Sequence, residues 1–188
     1  MNNENVKGGL YTTLGKALSL DGNFYENARH TPQTNQIAQT IVCLAALSHA
    51  LGSAVILLIN LSPLPLLITF LLIDVLSVVG GYYFWALTIS KIGQWLKPNH
   101  VSTQELLIPI GYAYAPQALN FLTLIPLLGR PIELVLSVWS LLAVIVAVRQ
   151  GLDISTNRAT IICLVGWPLV QVTIGLVQIW EQSLVKGF

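Results

Sequence analysis

His49 and Asp74 are ionisable residues set deep in apolar sequence, and they are the first candidates for chemistry in this 188-residue chain. His49 lies eleven residues before a short polar turn at Asn60 to Pro65, and Asp74 nine after it. If the flanking runs are helices, a rise of ~1.5 Å per residue brings both side chains to one depth on neighbouring helices. An imidazole and a carboxylate so placed can pass a proton or ion, or clasp two helices together. Ionisable residues inside a membrane are costly, face protein and mark candidate sites. An interhelical hydrogen bond of about 0.6 to 2 kcal/mol gives the same pair a structural use. The pair is read first as a clasp, with transfer as the alternative.

Gln117, Asn120 and Gln171 fall within about two helical turns of one depth and form a candidate polar layer. A conduit needs such a layer to be continuous, and no run of carboxylates extends it, since Glu105 and Glu133 lie at the ends of their helices. Cys43 and Cys163 are expected to be free thiols, because apolar surroundings and a reducing side of the membrane both disfavour a disulfide. With no CxxC and only scattered histidines, no metal site is expected, and no cofactor. No Walker loop, dinucleotide fingerprint, G-x-S-x-G or HExxH occurs, so no catalytic residue is assigned and an enzyme is not expected.

These residues must be held by the elements around them, which are five long apolar runs. They extend roughly over Ile37 to Leu61, Leu66 to Ile92, Leu106 to Leu128, Ile132 to Val148 and Ala159 to Ile179. A spanning helix needs about 20 mostly apolar residues, and each run is near or above that length. With 54% hydrophobic and 9% charged residues, and a mean hydropathy of +0.71, there is too little polar surface to cover a soluble globule. A net charge of +1 supplies no basic field for nucleic acid. The fold class expected is all-α, a polytopic bundle of five transmembrane helices over residues 32–188, preceded by a tail over residues 1–31.

Orientation follows from the basic residues. Alternate hydrophilic segments carry seven Lys and Arg on one side and two on the other, and the basic side stays cytoplasmic. The N-terminus is therefore expected in the cytoplasm and Phe188 outside or in a lumen. The first thirty residues lack a continuous apolar region and do not read as a signal peptide. Within them Val6, Leu10, Leu14, Ala17 and Leu18 recur at three- and four-residue spacing, which describes a short amphipathic helix lying in the membrane interface or packed on a partner.

Local signals set the boundaries. Thr31 followed by Pro32 suits the start of the first helix, and Asn60 to Pro65 a tight turn. Gly129 with Pro131 suits the next outer turn, Gly151 the end of the fourth helix, and Ser155 or Thr156 the cap of the fifth. The third run, LLIPIGYAYAPQALNFLTLIPLLGRP, carries Pro109, Pro116 and Pro126 within one crossing. Each removes a backbone donor, so this helix is expected to be kinked and surrounded by protein that meets the freed groups. The kink is read as a packing feature first and a hinge second. Ala46, Ala50 and Ala54, with Ser53, form a small-residue stripe for close packing of the first helix. Trp95 and Trp180 sit where interfacial anchors belong, and Trp85, Trp139 and Trp167 where packing residues belong.

GYAYAP at Gly111 to Pro116, the following LIPLLG, and SVWSLLAVIVAVRQGLDISTNRA from Ser137 to Ala159 together resemble the Yip family of Ypt/Rab-GTPase-interacting membrane proteins. A GY-x-x-x-P element maps onto Gly111, Tyr112 and Pro116. W-S, R-Q and S-T-x-R-A elements map onto Trp139, Ser140, Arg149, Gln150, Ser155, Thr156, Arg158 and Ala159. The resemblance covers about the whole membrane region and implies five crossings with a cytoplasmic N-terminus. The DLYGP element and long tail of the eukaryotic trafficking members are absent, so the chain resembles the short bacterial branch and their small-GTPase partnership is not carried over. The implied role is membrane organisation, or accessory support of a membrane complex, with lipids and other integral membrane proteins as partners. A small transporter or channel using the polar layer is the alternative. The expected location is a bacterial inner membrane, or a thylakoid for a photosynthetic source.

Overall fold

The computed structural model describes residues 9–27, 32–59, 61, 63–96, 103–168, 172 and 176. The described residues form helices and no strands: α1 (Leu10–Leu18), α2 (Gly22–Asn27), α3 (Pro32–Ile59), α4 (Leu64–Leu96), α5 (Thr103–Ala113), a 3-10 helix (Ala115–Leu124), α6 (Gly129–Leu152) and α7 over residues 156–168. Three of these, α3, α4 and α6, contain stretches long and apolar enough to cross a membrane, at Thr34–Ile59, Leu64–Trp95 and Gly129–Leu152. At ~1.5 Å per residue the 33 residues of α4 exceed a ~30 Å hydrocarbon core. The chain is an integral membrane protein.

Pro32 opens α3 at a position where its missing N–H costs nothing. The turn into α4 is tight, with Leu61 in the left-handed region at φ 52° and its N–H donating to the Leu58 carbonyl. Gly151 does not end α6 as expected. That helix runs on to Leu152 and is capped by Asp153 at φ 50°. Gly151 is instead needed for contact, since a Cβ there would lie 2.7 Å from Leu106 Cδ2 on α5.

The third apolar run is not one kinked α-helix. It is α5 followed by ten residues of 3-10 helix, joined at Tyr114. Pro116 cannot donate to a carbonyl four residues back, and the bonding pattern has already tightened: Tyr114 N–H donates to the Gly111 carbonyl and Gln117 N–H to that of Tyr114. A 3-10 run of this length is uncommon and must be held by its surroundings. Ser48 on α3 does part of this, its Oγ accepting from Phe121 N–H at 2.7 Å. The rise of ~2.0 Å per residue also lengthens the segment, so eleven α and ten 3-10 residues together reach about 36 Å.

Apolar packing is concentrated at one end of the bundle. Ile41 of α3, Ala86 and Ile89 of α4, Leu106 and Ile110 of α5, Ala147 and Val148 of α6 and Ile162 of α7 are all buried there. At this end α1 and α2 also dock. The face of α1 bearing Leu10, Thr13, Leu14 and Ala17 turns onto the bundle, and Tyr11 is exposed. Indole Nε1 of Trp139 donates to the Leu18 carbonyl at 3.0 Å, Gln150 Nε2 to the Gly22 carbonyl at 3.1 Å, and Tyr25 Oη to the Ala17 carbonyl at 3.1 Å. Phe24, Tyr25 and Tyr112 stack edge to face or tilted across the joint. Buried among these rings, the Tyr25 phenol is pushed well above its ordinary pKa by desolvation.

Candidate functional site

The other half of the bundle holds a cavity of about 870 Å³ between α3, α4, the 3-10 segment and α6. Its wall on the 3-10 side follows from helix geometry. Side chains three residues apart eclipse one another in a 3-10 helix, whereas in an α-helix they drift by about 60°. Tyr114, Gln117, Asn120 and Thr123 are therefore stacked in one row, and all four line the cavity. The run of prolines thus aligns polar side chains that an α-helix would spread.

Two members of this row meet His49. Its Nε2 donates to Gln117 Oε1 at 2.9 Å, and Asn120 Nδ2 donates to its Nδ1 at 3.2 Å. Gln117 Nε2 passes the chain on to Ser140 Oγ of α6 at 2.9 Å. With the amides so oriented, Nε2 is the donor and Nδ1 the acceptor of the ring. Three elements are tied by one chain of four polar side chains. Between helices in lipid, packing and hydrogen bonds hold the bundle where the hydrophobic effect does not.

Asp74 faces the same cavity from α4, and its buried Oδ2 has no hydrogen-bond partner among the described residues. Both ring nitrogens of His49 are engaged by the amides of Gln117 and Asn120, and Asp74 lines the same cavity without a hydrogen bond from the imidazole to its Oδ2. Gln171, the third member of the expected layer, lies outside the described residues. Ser53, Ser77 and Ser137 also line the cavity. Ser53 belongs to the small-residue stripe expected to pack, whereas Ser77 and Ser137 had no expected role, although Ser77 follows Asp74 by one helical turn and Ser137 precedes Ser140 by one.

Toward the end where the apolar core lies, Trp85 and Trp167 line the cavity with ring centroids 6.5 Å apart, and the Trp85 ring lies against Gly166, where a Cβ would come within 2.7 Å of it. At the opposite end are the short connection into α6 and the exposed pair Arg130 and Glu133, 3.4 Å apart. Such an exposed pair adds little to stability. Among the described residues no cluster of His, Cys, Asp or Glu is arranged to hold a metal. Cys43 and Cys163 are free thiols.

The motif residues are mostly structural fasteners. A Cβ on Gly111 would lie 2.9 Å from Ala38 Cβ, so glycine lets α5 press on α3, and Tyr112 beside it donates to the Thr34 carbonyl at 3.1 Å. Pro116 opens the 3-10 segment. Trp139 and Gln150 hold α1 and α2, and Ser140 ends the His49 chain. Arg149 and Arg158 are exposed, the Arg149 carbonyl accepting from Ile154 N–H in the cap of α6, and Ser155 precedes α7, its carbonyl accepting from Ala159 N–H.

Apolar helices fastened in this way around a broken helix define a polytopic membrane bundle. The model of the Yip1 domain matches residues 18–179, and the chain belongs to the Yip family. No match was found among curated proteins or solved structures.

Proposed function

We propose that this chain is a non-enzymatic membrane protein that organises the bilayer or supports assembly of a membrane protein complex. One observation carries the reading: the cavity lining includes Trp85 and Trp167, and a turn beyond Trp85 on the same helix begins a buried apolar layer that includes Ile41, Ile89, Ile110 and Val148. A polar lining that gives way to a buried apolar layer suits a structural or binding part better than a conduit. Membrane lipids and other integral membrane proteins are the partners, with five crossings, a cytoplasmic N-terminus and a short amphipathic tail helix over residues 10–18. The short bacterial branch and its inner membrane, or a thylakoid, fit this reading.

The second reading is a small transporter or channel. It is favoured by His49, Asp74, Gln117 and Asn120 lining one cavity. Reconstitution into sealed liposomes separates the two. The assembly reading expects ion and proton leak equal to that of protein-free vesicles, together with a change in vesicle size or shape that grows with protein density. An Asp74-dependent flux, lost in D74N with folding intact, would overturn it in favour of transport.

A further inference from the structure

We propose that the cavity is a binding site for an alkylammonium group, with Asp74 as its counter-ion. The polar atoms around His49 satisfy one another: the imidazole, both functional atoms of Gln117 and the Asn120 amide nitrogen are all paired. What remains is one buried acceptor, Asp74 Oδ2. Asp74 is itself only half-buried, but an acidic oxygen enclosed without a donor is expensive in a membrane, and the missing partner is a donor that preferably carries positive charge. Both ring nitrogens of His49 are already committed to the two amides and supply none.

The shape of the site narrows the class of cation. A volume of about 870 Å³ lies in the range of pockets that take organic ligands and far exceeds a bare ion. Asp74, Ser77, Gly81 and Trp85 follow one face of α4 over eleven residues, so the slot is about 16 Å deep along that helix. Polar groups line the level of Asp74, and the paired tryptophans line the end toward the apolar core. A primary ammonium at Asp74 with an apolar stem turned toward the indoles meets both walls. Its source is either a free amine entering by the Arg130 end or the ethanolamine headgroup of a lipid. The site stands independently of whether the protein remodels membranes.

Protection of an introduced thiol tests this. In the full chain carrying C43S and C163A, S77C is reacted in detergent with a water-soluble, charged thiol reagent, with S137C on α6 as the second position. Saturating ethylammonium chloride is expected to slow labelling at both positions, and sodium chloride at equal ionic strength is not. D74N is expected to weaken the protection about tenfold or more, the loss of a charge-assisted hydrogen bond. Nanodiscs of phosphatidylcholine with and without phosphatidylethanolamine identify the source: protection by the lipid without added amine makes the headgroup the ligand, and protection by ethylammonium alone makes it a soluble amine. Equal protection by sodium, protection that survives D74N, or thiols that label only after denaturation would each overturn the proposal.

Discussion

Gln117 accepts from His49 Nε2 at 2.9 Å across 68 residues of sequence, and the contact exists because the segment carrying Gln117 is a 3-10 helix. Three-residue periodicity keeps Asn120 directly in line, so both nitrogens of one imidazole are met by one row of side chains.

Replacing His49 by Ala removes two interhelical hydrogen bonds. The expected loss is about 1 to 4 kcal/mol, given about 0.6 to 2 for each such bond in a membrane. Unfolding in mixed detergent measures it. A cycle of H49A, Q117A and the double variant should show coupling, and additive losses would mean the two residues do not interact.

The polarity of the network fixes the tautomer. With 15N-labelled histidine, the His49 signals are expected to be those of a neutral ring protonated on Nε2. A ring protonated on Nδ1 would require both amides to be turned over.

Gly111 and Ala38 meet with no room for another carbon. G111V is expected to destabilise the bundle by about 1 to 3 kcal/mol, as overpacking does. G111A should cost less, and A38G should restore part of that loss, whereas a backbone requirement for glycine at position 111 would leave A38G without effect.

Trp139 and Gln150 hold the N-terminal helices by their main chain. W139F keeps an aromatic ring, though a smaller one, and removes the donor, so hydrogen exchange over residues 15–22 should quicken with little change elsewhere. Combining it with Q150A should enlarge the effect. Unchanged exchange would mean that the aromatic contacts of Phe24 and Tyr25 suffice.

Much of the fold was legible in the apolar runs, because membrane helices must satisfy their backbones internally and so write their length into the sequence. The start of α3 at Pro32 and the turn before α4 could be read from proline placement. The site was legible only by depth. His49, Asp74, Gln117 and Asn120 were placed at one level by counting residues, but counting at 100° per residue cannot say which of them touch. Prolines at positions 109, 116 and 126 announced an irregular helix without saying that its irregularity would be a change of period. Gly151 misled for a related reason: glycine ends helices and also admits close neighbours, and only the position of Leu106 shows which applies.

The period of the segment from Tyr114 to Leu124 is the central claim, and cysteine scanning reads it directly. Each position is replaced in turn in a background lacking Cys43 and Cys163, and labelled with a small water-soluble reagent. Reactivity is expected to peak at positions 114, 117, 120 and 123, the row that faces the cavity. Maxima recurring at 3.6 residues, at positions 114, 117 or 118, and 121, would contradict the 3-10 row and with it the arrangement around His49.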